Sequence, residues 1–197
     1  MSSDLKEHIY DAMADREKMI RAGKNSYPDA IIKIAEVLRD SISQGGKIML
    51  CGNGGSAADC QHFAAEMIVR LTARVERAAI PAVALTTDSS ILTAAGNDYG
   101  FDQTFSRQVQ GLGRKGDILI GISTSGNSEN IIRAFKAASL KGITRIGLLG
   151  DKGGKCLEHC DHSIIVQGDS TMRIQEEHTF ILHTIAEITE KLALEEA

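Results

Sequence analysis

His62 and Glu66 stand four residues apart in Gln61-His62-Phe63-Ala64-Ala65-Glu66, a stretch without glycine or proline. On a helix that spacing puts an imidazole and a carboxylate on one face, which suits metal ligation or paired acid and base work. Solvated helix pairs share the same spacing, so its weight comes from its surroundings. Directly upstream lies Cys51-Gly52-Asn53-Gly54-Gly55-Ser56, a glycine loop in which backbone N–H groups can approach a ligand where a helix begins. Taken alone it reads equally well as a turn and a helix cap. A second loop, Ser123-Thr124-Ser125-Gly126-Asn127-Ser128, is crowded with hydroxyls and also feeds a helix N-terminus. One hydroxyl suffices for capping; several, with oriented amides and the positive end of a helix dipole, make a phosphate cradle that needs neither lysine nor arginine.

Gln175 and His183 offer two further polar ends on a helical segment, about 12 Å apart along a straight axis. They meet one ligand only from opposite sides, or with Gln175 in an irregular first turn. Cys156, His159, Cys160 and His162 have the look of a metal box, yet the gap between the cysteines fits no common zinc spacing and the group reads as a turn before a strand. His8, His159, His162 and His178 lack any such context and are expected to be structural or exposed. Gly52, Gly54 and Ala57 match a loose dinucleotide fingerprint, but the acidic residue that should follow about 20 residues on is missing. Asp88 comes too late for that role, and the hydroxyl loop would go unused.

The elements that must position these residues follow from hydrophobic periodicity. Ile31, Ile34, Ala35, Leu38 and Ile42 recur at helical spacing, Gly45-Gly46 ends the segment, and an apolar run over 47–51 follows as a buried strand. The same punctuation predicts helices over about 56–71 and 129–140 and strands over 82–87, 117–123, 145–149 and 163–167. Short β-branched runs alternating with amphipathic helices imply a mainly parallel sheet covered on both faces. Ligands in such sheets bind beyond the carboxyl ends of strands, where both loops lie. Long helices over 4–21 and 172–194 stand outside this core. The second carries Ile174, Phe180, Ile181, Ile185, Ile188 and Leu192, more apolar surface than one sheet edge is expected to cover, so it packs either against another subunit or as an ordinary docking helix within the chain. With His183 on that helix, the acid–base set is expected to be shared between chains.

At 197 residues and 43% hydrophobic content, the chain is expected to form one domain over 1–197. The net charge of -4 gives no footprint for nucleic acid or an anionic membrane, so an anionic ligand needs a local site. No apolar run approaches the roughly 20 residues of a bilayer span, and residues 1–10 are not signal-like, which points to a cytoplasmic protein. Cys51, Cys60, Cys156 and Cys160 are too sparse for a disulfide framework.

In order along the chain stand Gly52-Asn53-Gly54-Gly55-Ser56-Ala57-Ala58-Asp59, Gln61-His62-Phe63-Ala64-Ala65-Glu66, Ala84-Leu85-Thr86-Thr87-Asp88, Gly96-Asn97-Asp98-Tyr99-Gly100, Phe105-Ser106-Arg107-Gln108, Gly121-Ile122-Ser123-Thr124-Ser125-Gly126-Asn127-Ser128 and Arg173-Ile174-Gln175-Glu176. This series resembles the phosphoheptose isomerase family of SIS-domain proteins over nearly the whole chain. The resemblance implies a flavodoxin-like α/β SIS fold with additional N- and C-terminal helices, and a homotetramer with active sites at subunit interfaces. It also implies isomerisation of sedoheptulose 7-phosphate to D-glycero-D-manno-heptose 7-phosphate through an enediol, for bacterial lipopolysaccharide precursors. By the same resemblance one zinc ion per subunit would be held by His62, Glu66, Gln175 and His183. Sugar and phosphate contacts would fall on Asn53, Gly54, Gly55, Glu66, Asn97, Asp98, Ser123, Thr124, Ser125, Ser128 and Gln175. Glu66 and His183 would be the catalytic acid–base pair. Val69-Arg70-Leu71 departs from the Gly-Arg-Tyr of many members, which bears on fine substrate preference. A second branch of the fold, non-catalytic tetramers that bind the replication initiator, shares the two loops; its members lack the pair formed here by Glu66 and His183.

Overall fold

The computed structural model describes residues 2–195, and the side chains of 4–194. Residues 1, 196 and 197 of the expected domain lie outside the described residues. Two helices come first, α1 (Ser2–Gly23) and α2 (Tyr27–Ser43). Pro28 in the first turn of α2 has no N–H to leave unpaired, and Ile31, Ile34, Ala35 and Leu38 form its buried stripe. Then follow β1 (Ile48–Gly52), α3 (Gly55–Ile68), β2 (Ala82–Ala84), α4 (Ser89–Tyr99), α5 (Thr104–Leu112), β3 (Ile118–Ser123), α6 (Glu129–Leu140), β4 (Thr144–Gly150), β5 (His162–Val166) and α7 (Thr171–Glu195).

All five strands are parallel, in the order β2-β1-β3-β4-β5, which is the flavodoxin-like winding. Side chains alternate across the sheet. Ile48, Leu50, Ile118, Ile120, Ile122, Ile146 and Leu148 face one layer of helices, α2, α3 and α7. Met49, Cys51, Leu119 and Leu149 face the other, chiefly α5 and α6 through Phe105, Val109, Ile131 and Phe135. Register at the sheet's centre, Cys51 opposite Gly121 and Gly52 opposite Ile122, is fixed at its lower edge by buried Asp117. That carboxylate accepts from the backbone N–H of Lys47 and Arg114 and pairs with the Lys47 ammonium.

The α/β fold class expected from the sequence is what the chain adopts, with differences in detail. β2 stops at Ala84, short of Thr87, because Thr86 and Thr87 turn away and spend their hydroxyls on Ala57 O and Ala84 O. Helices α4 and α5 were not anticipated. α7 is also less dependent on a partner than its composition suggests: Ile174, Ile181, Leu182, Ile185 and Ala186 are buried within the chain, while Phe180 remains half exposed. The group from Cys156 to His162 forms a 3-10 turn, Gly154–His159, that leads into β5. Among the described residues no helix is long and apolar enough to cross a membrane.

His178, fully buried on α7, donates from Nε2 to the carbonyl of Leu149 in β4 at 3.2 Å. Burial pushes its pKa down from 6.5 to about 4, with the Leu149 contact and Asp59 opposing. Below about pH 6.5 the unfolded chain therefore takes up a proton that the native ring refuses until about pH 4. Stability should fall as pH drops through that window, by a total on the order of 3 kcal/mol from this residue. Urea unfolding at pH 7 and at pH 4.5 should show a smaller pH effect in His178→Gln than in the wild type; equal effects would contradict the assignment.

Candidate active site

Strand order reverses between β1 and β3, and the loops leaving the carboxyl ends of those two strands open side by side into the crevice where such sheets bind ligands. In the first loop Gly54 has φ of 57°, a left-handed value that glycine adopts without strain, and it caps α3. Beside it, Asn53 and the buried Asn130 of α6 exchange side-chain amide hydrogen bonds in both directions, at 3.0 and 2.8 Å. That pair ties the glycine loop to the hydroxyl loop. In the second loop the hydroxyls of Ser123 and Ser128 lie 2.9 Å apart, and Ser125 Oγ accepts from Asn127 N–H. Ser123 is buried, Thr124 and Ser128 are half-buried, and Ser125 is exposed, so the hydroxyls line a graded opening above the start of α6. Oriented amides and hydroxyls of this kind suit an anion.

Helix α3 carries the chemistry away from that cradle. Its His62 and Glu66 meet His183 of α7: Glu66 Oε1 lies 3.3 Å from each imidazole Nε2, and the two Nε2 atoms are 3.0 Å apart. The rings stand edge to face, at 82°. Glu66 is only 14% exposed, and its Oε2 is buried without a hydrogen-bond partner. An orphaned buried carboxylate oxygen is costly, and a native chain keeps one where the group has other work. The three residues offer ligand atoms within 4.8 Å of one another and could together hold a metal ion. Because all three belong to one chain, the expectation that Glu66 and His183 come from different subunits is corrected: α7 folds back onto its own α3.

Gln175 stands apart from this group. Its Nε2 donates to Asp59 Oδ2 at 3.2 Å, and Thr179 Oγ1 donates to Asp59 Oδ1 at 3.1 Å. The amide lies so close over Gly55 that a β-carbon there would sit 2.2 Å from Gln175 Nε2. Asn97 and Asp98 hydrogen-bond each other at the exposed end of α4 and, among the described residues, bond to neither loop. The structure thus brings Asn53, Gly54, Gly55, Ser123, Thr124, Ser125 and Ser128 together at the switch point, His62, Glu66 and His183 beyond it, and Gln175 between them.

Three residues escaped the sequence analysis. Asn130 could have been found as a polar residue directly before the apolar pair Ile131 and Ile132 in the first turn of α6. Asp59 follows Ser56 by three residues, a spacing that reads as a capping pattern and hides its role toward α7. Thr179 gives no local signal, because its partner is distant in sequence.

The chain resembles known proteins over most of its length. The chain matches the SIS domain family over residues 13–150. It is 46% identical over 191 residues to a phosphoheptose isomerase of Clostridium acetobutylicum, covering 97% of this chain and 95% of that one. With a phosphoheptose isomerase of Aliarcobacter butzleri it shares 54% identity over 79% of this chain and 82% of the other. The solved phosphoheptose isomerase of Neisseria gonorrhoeae superposes with a TM-score of 0.88 at 42% identity, covering 95% of this chain and 99% of that one.

Asn130→Ala would remove both amide hydrogen bonds that join the two loops and leave Asn53 unpaired. Urea unfolding should report a loss of about 2 kcal/mol; an unchanged midpoint would mean that the pair contributes nothing.

Proposed function

The chain belongs to the phosphoheptose isomerase family of SIS-domain proteins and is a sugar-phosphate isomerase; from that premise we propose that it interconverts sedoheptulose 7-phosphate and D-glycero-D-manno-heptose 7-phosphate through an enediol. The product would feed heptose precursors of bacterial lipopolysaccharide. The observation that carries this proposal is the Glu66 carboxylate, half paired with two imidazoles and half unpartnered, one helix away from a phosphate-type cradle.

Aldose–ketose isomerisation moves a proton between C1 and C2 and needs a base at carbon and a donor at the neighbouring oxygens. In the proposed arrangement Ser123, Thr124, Ser125 and Ser128, with Asn53, Gly54 and Gly55, hold the 7-phosphate. The carbon chain then extends along α3 toward Glu66. Glu66 removes the C1 proton of the ketose and returns it at C2, while His183 exchanges protons with O1 and O2. Asn97 and Asp98, exposed and free of their own chain's loops, would meet the sugar of a neighbouring subunit.

Zinc is the ion we assign to the triad. The separations of 3.0, 3.3 and 3.3 Å lie near the edge of a tetrahedron with bonds of about 2.0–2.1 Å, roughly 3.3 Å. His62, Glu66 and His183 would hold it; Gln175 could join only through its carbonyl oxygen, since Nε2 is spent on Asp59. Bound there, zinc would polarise the sugar's carbonyl and hydroxyl oxygens. An imidazole that ligates through Nε2 has no proton there to give, so ligation and proton transfer are competing uses of His183.

The assembly proposed is a homotetramer of single-domain subunits in the cytoplasm. Leu5, Ile9, Met13 and Ile20 leave an apolar stripe along the exposed face of α1, continued by half-exposed Phe180, and closed symmetry would bury it. The four cysteines are free thiols, as a reducing compartment would keep them.

Glu66→Gln and His183→Gln should each lower kcat on sedoheptulose 7-phosphate by about 10²- to 10⁴-fold; wild-type turnover in either would remove the site. Mixing the two inactive proteins should restore no activity, since both residues belong to one chain, and recovery in the mixture would put them in different subunits. Across a panel of ketose phosphates the heptulose should be turned over fastest, and equal rates on pentulose and hexulose phosphates would sink the heptose assignment.

A further inference from the structure

Between α3 and β2 the chain runs without regular structure, and from this segment Arg77 reaches back into the protein until its side chain is only 4% exposed. All three nitrogens of its planar guanidinium donate hydrogen bonds. Nε donates to Glu190 Oε2 at 2.8 Å, one terminal nitrogen to the carbonyls of Met67 and Ala78 at 2.8 and 3.0 Å, and the other to the carbonyl of Glu66 at 2.8 Å. Glu66 and Met67 are in the last turn of α3, where carbonyls have no intrahelical partner and the helix dipole is negative. Glu190, itself 7% exposed, lies on α7 two turns beyond His183 and on the same face.

We propose that Arg77 is a positioning residue for the isomerisation, locking the end of α3 to α7 through Glu190 and thereby setting the placement of Glu66 against His183. This rests on the assignment of Glu66 and His183 as the acid–base pair. The two helices are fastened at two places. Asp59 holds Gln175 and Thr179 at one, Arg77 holds Glu190 at the other, and the triad lies between them along both helices. The Arg77 fastening is the rigid one: a guanidinium presents its donors in a fixed fork, and this one spans the backbone of the proposed base and a carboxylate on the helix of its partner. Burying an ion pair is a poor way to gain stability, because desolvation offsets most of the attraction, but it is an effective way to specify one register. A misplacement of about 1 Å in a reacting group costs up to about 100-fold in rate.

The test compares Arg77→Met/Glu190→Leu, which removes both charges together, with Arg77→Lys, which keeps a charge for Glu190 but cannot bridge the carbonyls of Glu66 and Met67 as well. His183→Gln is assayed beside them. Each variant is examined for cooperative unfolding, for kcat and KM on sedoheptulose 7-phosphate, and, without substrate, for zinc affinity by competition with a chromogenic chelator. Per folded molecule, kcat should fall about 10- to 100-fold while KM stays within about twofold, because the phosphate loops leave β1 and β3 and not α7. Zinc affinity should fall about 10-fold or more, as α3 and α7 lose their mutual placement. Wild-type kcat and zinc affinity per folded molecule would overturn the proposal, and so would a loss of activity that merely tracks the unfolded fraction. Should the double variant fail to fold, Arg77→Lys decides by the same two readouts. An active His183→Gln would instead place the failure in the acid–base assignment.

Discussion

The site depends on one contact between helices, that of α3 with α7. They approach from distant parts of the chain, α3 leaving the first strand and α7 following the last, and they pack through Cys60, Phe63 and Met67 on one side and Ile181, Leu182 and Ile185 on the other, all within one core. A sheet with its loops but without this contact would still offer an anion-binding crevice at the strand switch. It would lack the imidazole of His183, and Glu66 would face only His62. In the proposed reading, recognition of the phosphate is a property of the winding of the sheet, and the reaction chemistry belongs to the way α7 is laid across α3.

Polar groups in this protein's interior fall into two kinds. Asp117, Asn130, Arg77 and Glu190 are buried and fully engaged, each joining backbone or side chains from separate elements. Glu66 Oε2, Glu177 Oε1, His178 Nδ1 and Thr189 Oγ1 are buried and unengaged. His178 meets the cost by remaining neutral, since burial holds it uncharged well below neutral pH. Glu66 has no such account in the packing around it, which marks it as a candidate for holding an ion or meeting a ligand.

Much of this was legible in the sequence. Strands whose faces are both buried read as continuous aliphatic runs, and the runs beginning at Ile48, Ile118 and Ile146 were recognisable for that reason. The two loops were legible because glycine and hydroxyl residues accumulate there beyond what capping requires. Helix α5 was not, because its buried face includes Thr104, Ser106 and Gln108, polar residues that satisfy themselves locally and on Leu85 O and so break the apolar period. Helix α4 buries only Ala95 and had no stripe to show. The pairing of α3 with α7 rests on contacts such as Asp59 with Thr179 and Arg77 with Glu190, each spanning more than half the chain, and no local pattern encodes those. Whether His183 meets Glu66 of its own chain was not legible for the same cause: the apolar surface of α7 shows in the sequence, but the share that α2 and α3 cover does not.

The order of strands also governs when the site comes into being. β1, an interior strand beside the edge strand β2, finds its partner β3 only after the chain between them is in place, as the bond from Lys47 N–H to Asp117, separated by 70 residues, records. Closing so long a loop before any reward is collected makes parallel pairing a slow event in folding. The glycine loop and the hydroxyl loop leave these same two strands, so they meet at the step that pairs β1 with β3, whereas His183 joins them only when α7 packs onto α3. A chain in which β1 and β3 have paired would therefore already hold its anion-type crevice while still lacking the imidazole beside Glu66.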